Sequence, residues 1–184
     1  GYSGGRKVIA PGIAHAETIT TFHNARFMSH PKATNAVLEG NPLHEEQLEM
    51  VKLLGGALAL NTVLDEERRL ALVNFGEVIE SHLQAVGFVR RYAEVGVPRR
   101  FKTVVTSAAG YPLDKTYYQT VKGMVGPLEI LEPGGDLIIA SECSEGLGSK
   151  EFSESQRRLI QQGTAAFLQG IAAKPHADID EWQT

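Results

Sequence analysis

The chain has 184 residues, 42% of them hydrophobic and 22% charged, a composition that builds a folded core and does not fit a disordered segment. Its formal charge of −4 leaves no basic excess to neutralise a phosphate backbone, which argues against a nucleic-acid binder. The single cysteine, Cys143, excludes a disulfide framework and a cysteine-built zinc cluster and fits a reducing cytoplasm, and no apolar run approaches the ~20 residues of a membrane span.

The chain opens on a Gly-rich stretch, Gly1-Tyr2-Ser3-Gly4-Gly5-Arg6-Lys7, with neither an initiator methionine nor a signal peptide, and closes with Trp182 near its other end. The expectation is a fragment of a longer protein. A helix is predicted around Ala16 to Phe27, and Glu39-Gly40-Asn41-Pro42-Leu43 is turn chemistry. A second helix is predicted from His44 to Leu54 on the spacing of Leu48, Val51 and Leu54, with Gly55 as its stop. Ala57 to Leu64 and Arg69 to Phe75 are predicted strands, joined as a hairpin by Asp65-Glu66-Glu67-Arg68. A long amphipathic helix follows from Glu77 to Val95, with Val78, Leu83, Val86, Val89 and Tyr92 on its buried side.

Gly96-Val97-Pro98-Arg99-Arg100 interrupts that pattern and sets the predicted boundary between domains 1–97 and 98–184. Beyond it come a strand at Phe101 to Thr106, a loop at Ser107 to Gly110, and a helix capped by Asp114 that runs to about Met124. A strand at Asp136 to Ala140 leads into a small-residue loop, Ser141 to Ser149. Ser153 and Gln156 form a capping box for a last helix reaching Ile171. Strand, helix, strand, helix implies a βαβ unit with parallel strands, so the fold class is α/β.

Gly4-Gly5-Arg6-Lys7 invites a phosphate-loop reading but departs from the Walker pattern, since Val8 stands where a Ser or Thr should hold magnesium. Its glycines still let backbone N–H groups approach an anion, and Lys7 could carry a covalent adduct once deprotonated. The histidines at 15, 23, 30, 44, 82 and 176 form no H-x-H or H-x-x-x-H pair, so no local zinc site is written. His44 is predicted at a helix start and His82 on a solvated face. Gln119 and Lys122, three apart, share a helix face and suit a small carboxylate: one hydrogen bond plus one charge-assisted bond. Cys143 has no evident base partner and reads as structural.

Taken together and in order, these stretches resemble the lactate racemase family, enzymes that use a nickel-pincer nucleotide. The resemblance runs over essentially the whole chain. It is strongest at Ser3-Gly4-Gly5-Arg6-Lys7 through Gly12, at Glu17 through His23, at Leu38 through Glu45, and at Gly110-Tyr111-Pro112-Leu113-Asp114 through Gly123. It implies two α/β domains flanking an active-site cleft, both incomplete here. It implies that Lys7, in the Gly4-Gly5 loop, ties down the nickel-pincer nucleotide through a thioamide, and that His23 is the imidazole ligand to nickel in a square plane. Gln119 and Lys122 would bind the substrate at a carboxylate or keto oxygen, and Trp182 would match a tryptophan near the pocket.

The implied reaction is racemisation of a small 2-hydroxy acid by reversible hydride transfer. Two histidines would serve as bases for the two enantiomers, and in the family both precede the Gly-Gly-x-Lys loop, as does an arginine that helps hold substrate. All three would fall before Gly1, so no catalytic base is assigned here, His15 is not promoted into that role, and these residues alone are expected to be inactive. The implied partners are the substrate and the enzymes that synthesise and load the cofactor. The alternative is a catalytically inactive nucleotide- or phosphate-binding or scaffold homologue, in which Lys7 makes only a salt bridge.

Overall fold

A computed structural model describes residues 2–184, so Gly1 of the predicted opening loop lies outside the described residues. The chain divides into two compact units, Gly1–Val95 and Gly96–Thr184. Among the described residues no helix is long and apolar enough to cross a membrane.

The first unit begins with a single helical turn, α1 (Arg6–Ile9), followed by α2 (Ala16–Phe22) and α3 (Ala25–Met28). One helix was predicted over this last region, but the chain breaks at His23. Asn24 then starts the next turn, its side chain accepting a hydrogen bond from the Phe27 N–H. α4 (Pro42–Leu54) starts two residues earlier than the spacing suggested, because the Asn41 side chain caps it and Pro42 occupies the first turn. Gly55 ends it in the left-handed conformation at φ 85°.

β1 (Leu58–Leu64) and β2 (Leu70–Glu77) pair antiparallel. The turn is built by the Asp65 carboxylate, which accepts from the Glu67 and Arg69 N–H groups at 2.9 Å. α5 (Val78–Ala93) packs on the hairpin, and α1 lies against α4 and α5. The buried face of α5 differs from the apolar one expected: Leu83 is 47% and Tyr92 69% exposed, whereas Val78, Ser81, His82, Ala85 and Val86 are buried. His82 is therefore not solvated. Its ring meets the Ser3 carbonyl of the loop before α1, and the adjacent Ser81 accepts from Asn61 of the hairpin, so burial follows hydrogen bonding there rather than hydropathy. The hairpin's other face is apolar and open, with Leu60 paired across to Phe75 and both about two-thirds exposed (66% and 67%).

In the second unit β3 (Phe101–Ser107), α6 (Tyr117–Val125) and β4 (Leu131–Ala140) form the βαβ unit, and β3 and β4 pair in parallel. β4 starts five residues before the predicted strand. A register shift after Phe101 accommodates Gly134 and Gly135; a Cβ on Gly135 would lie 2.6 Å from the Lys102 carbonyl oxygen, so only glycine permits this pairing.

Asp114 does not cap α6; Thr116 does, its hydroxyl accepting from the Gln119 N–H. Asp114 is buried and ties down the loop after β4 instead, its carbonyl accepting from the Cys143 N–H and its carboxylate from the Glu142 N–H. The last helical region is likewise capped earlier than expected, by Ser149 rather than Ser153. It is broken at Gly163 into α7 (Lys150–Gln162) and α8 (Thr164–Ala172). Phe152 of α7 is fully buried against the rings of Tyr117 and Tyr118.

Candidate functional site

In the first unit the loop ahead of α1 turns on two glycines in the left-handed half of backbone space, Gly4 at φ 81° and Gly5 at φ 50°. The Lys7 N–H donates to the Gly4 carbonyl and the Val8 N–H to the Gly5 carbonyl, so the turn runs directly into helix. One step along a helix rotates a side chain by about 100°. That rotation separates the two adjacent cations: Arg6 is buried at 5% exposure and Lys7 is exposed.

His23 sits at the C-terminal end of α2, its N–H donating to the Ile19 carbonyl and its ring 4.6 Å from that of Phe22. Burial, and then the nearby Lys7 ammonium, push its imidazole down to about 4. The ring is therefore neutral near pH 7 and keeps a nitrogen lone pair for coordination. The structure thus brings Lys7, Gly4, Gly5 and His23 into one neighbourhood: a flexible amine and a neutral imidazole at the ends of two short helices. Among the described residues no group of three or more His, Cys, Asp or Glu side chains could hold a metal ion. A metal bound at His23 would have to bring most of its donors with it.

Behind the loop lies a polar cluster that the sequence reading missed. Arg6 Nη1 stands 3.2 Å from His82 Nε2, and His44 is close enough to feel both. Burial pulls Arg6 down to about 10, and burial followed by Arg6 and His82 pulls His44 down to about 4. Asn61 donates to Ser81 Oγ at 3.0 Å and to Asn74 Oδ1 at 3.1 Å. One sequence signal points towards this cluster: Asn61 and Asn74 each interrupt an apolar strand, and the fold pairs them directly.

The titration of His44 has a consequence for stability. Its native value lies below the ordinary 6.5, so the unfolded chain takes up the proton first. This contribution is complete above pH 6.5 and is lost as pH falls through about 4. Urea unfolding of the chain is expected to lose on the order of 2 kcal/mol from this residue across that window, with His44→Gln flattening the decline. An unchanged slope in His44→Gln would remove His44 from the cause.

In the second unit Gln119 and Lys122 project from the same side of α6, and Lys122 Nζ donates to Gln119 Oε1 at 2.7 Å. Tyr118 links them to Trp182: Lys122 Nζ lies 5.6 Å from the centre of the Tyr118 ring, and Trp182 Nε1 donates to the Tyr118 hydroxyl at 3.3 Å. Burial, and behind it the Asp180 carboxylate, push the Tyr118 phenol up and keep it protonated. Gln183 fastens the same residue by donating to its carbonyl. The three predicted residues thus form one cluster around Tyr118, which the sequence reading did not single out. The Cys143 thiol lies within 3.4 Å of the Thr120 and Ser141 hydroxyls. His15 caps α2, its Nδ1 accepting from the Glu17 N–H.

Residues 98–184 match the lactate racemase C-terminal domain and residues 1–36 the lactate racemase N-terminal domain. The chain belongs to the lactate racemase family. Over 152 residues it is 39% identical to the lactate racemase of Thermoanaerobacterium thermosaccharolyticum and 32% identical to that of Lactiplantibacillus plantarum. Each alignment covers 83% of this chain but only 35% and 36% of those proteins, so the chain spans about a third of their length. The solved structure of the T. thermosaccharolyticum lactate racemase apoprotein superposes with a TM-score of 0.90 at 34% identity, covering 100% of this chain and 44% of that one. This lactate racemase family chain therefore has the α/β class expected from its strand and helix order.

Proposed function

We propose that this chain is the cofactor-anchoring and substrate-holding part of a racemase or epimerase that inverts C2 of a 2-hydroxy acid. The first domain would anchor a nickel-pincer nucleotide and the second would receive the substrate. The observation that carries the reading is the pairing of Lys7 with a neutral His23 beside a turn that only glycines make. An amine that can be acylated and one imidazole suit a group that brings its own sulfur and carbon donors to nickel, and they suit a bare metal ion poorly. Lys7 would hold the nucleotide covalently, Gly4 and Gly5 would let it approach the backbone, and His23 would supply the remaining nickel ligand.

When bound, the nucleotide supplies a reversible hydride acceptor. Inversion at C2 would require the hydroxyl proton to go to a base as the C2 hydrogen departs with its electron pair, and the chain's own residues would hold the resulting planar 2-keto acid. The base is not assigned to any residue of this chain. Gln119 and Lys122 bind the substrate at its carboxylate or growing carbonyl oxygen. Because the Gln119 oxygen faces Lys122, its amide N–H₂ is left to donate alongside the ammonium. Trp182 has its N–H engaged by Tyr118, so it offers substrate the face of its ring. The single cysteine, outside any disulfide, supports a cytoplasmic setting, where cofactor-synthesis enzymes would load the site.

The test is to co-produce the full-length protein with the pincer-synthesis enzymes and nickel. A nucleotide adduct under denaturing mass spectrometry, nickel under native conditions, and interconversion of 2-hydroxy acid enantiomers support the reading. Bare protein in both spectra, with a known relative loaded in parallel, refutes it in favour of a nucleotide-binding or scaffold role.

A further inference from the structure

Three residues of the loop that presents Lys7 meet one side chain. His82 Nε2 lies 3.0 Å from the Ser3 carbonyl oxygen and 3.2 Å from Arg6 Nη1. Between them Gly5 is seated against the imidazole, so closely that a Cβ there would lie 2.5 Å from His82 Cβ and Cγ. Gly4 is bounded on its own side, where a Cβ would stand 3.4 Å from Asn61 Oδ1. His82 is 2% exposed and reaches the loop from α5, 75 positions along the chain from Lys7. A buried polar side chain that reads a carbonyl, a guanidinium and a glycine backbone in one short segment acts as a mould for that segment.

From this geometry we propose that His82 is the positioning residue for Lys7, fixing the Ser3–Arg6 backbone so that the amine is presented to the ring it joins. The proposal rests on the cofactor reading above. The role is indirect: His82 acts on the amine through the loop it holds at Ser3, Gly5 and Arg6. A single imidazole nitrogen cannot serve both partners together, because the Ser3 carbonyl requires an N–H there and the Arg6 guanidinium requires a lone pair. A glutamine amide carries both roles on separate atoms. His82→Gln therefore restores the contacts that His82→Phe removes, while phenylalanine keeps a ring for Gly5 to rest on.

The experiment uses full-length protein co-produced with the pincer-synthesis enzymes, in wild-type, His82→Phe, His82→Gln, Gly5→Ala and Val86→Ala forms. Val86→Ala destabilises the same buried face of α5 one turn further on and serves as the stability control. Two quantities are read: the fraction of protein carrying the Lys7 adduct, and amide hydrogen exchange over residues 4–9 in unloaded protein. Loss of one buried hydrogen bond is expected to speed exchange in that segment by about tenfold. His82→Phe and Gly5→Ala should show that acceleration and an adduct fraction reduced about fivefold or more, since misplacement by about an ångström is enough to disable a reacting group.

His82→Gln should return both quantities to within about twofold of wild type, and Val86→Ala should leave both unchanged. Wild-type exchange and wild-type adduct in His82→Phe overturn the proposal. So does loss of adduct in Val86→Ala equal to that in His82→Phe, because a general loss of stability would then explain both. Should His82→Phe fail to fold, Gly5→Ala, which leaves His82 in place, decides by the same two readings. Wild-type protein without adduct refutes the cofactor reading; the exchange data then decide alone whether His82 holds the loop, and wild-type exchange in the variants refutes that.

Discussion

Full-length protein carrying Lys7→Ala is expected to emerge from cofactor-loading conditions with no covalent nucleotide and with racemase activity lower by about four orders of magnitude or more. The size follows from the chemistry assigned to the amine. A cofactor enzyme stripped of its cofactor keeps substrate binding and loses the reaction, since the hydride acceptor is not a protein group. Lys7→Arg separates charge from attachment: guanidinium keeps the positive charge beside His23 but stays protonated and does not act as the nucleophile. Under the covalent reading both substitutions remove the adduct. Under the salt-bridge reading Lys7→Arg retains nucleotide in native spectra, and that outcome would sink the covalent assignment. The fold should survive either change, because Lys7 is exposed and the buried member of the pair is Arg6.

Arg6 and Lys7 also show where the sequence was readable and where it was not. The hairpin was legible because Asp65 to Arg68 is a turn flanked by apolar strands, and each strand obeys local rules. The βαβ order was legible for the same reason. Helix starts were not, because Ser149 and Ser153 lie one turn apart and both fit a cap; in the fold the Ser149 hydroxyl accepts from the Phe152 N–H, while the Ser153 hydroxyl donates to the Ser149 carbonyl. The buried face of α5 was misread because hydropathy ranks His82 and Ser81 as outward-facing. Their partners Ser3, Arg6 and Asn61 are distant in sequence, and a pattern within one helix carries no trace of them. Lys7, His23, Gln119, Lys122 and Trp182 were singled out by residue type and by family resemblance. The link from Lys122 through Tyr118 to Trp182 spans 60 residues and exists only in the fold.

That link leads to the second large effect. Lys122→Ala in the loaded full-length protein is expected to lower kcat/KM by about 10²- to 10³-fold, in the range for removing one donor aimed at developing negative charge. The geometry explains why the ammonium should matter beyond its charge. Gln119 Oε1 at 2.7 Å and the Tyr118 ring below it hold a side chain that would otherwise sample many rotamers, so little ordering entropy remains to be lost when substrate binds. Gln119→Ala removes a neutral donor and one of those restraints, and about tenfold is expected. The double variant should lose less than the product of the two, because each residue orients the other. If Lys122 grips only the carboxylate, KM rises and kcat stays; if it also faces the carbonyl oxygen as the hydride departs, kcat falls with kcat/KM. Activity within about twofold of wild type in Lys122→Ala would take Lys122 out of the site and leave its bond to Gln119 as surface decoration on α6.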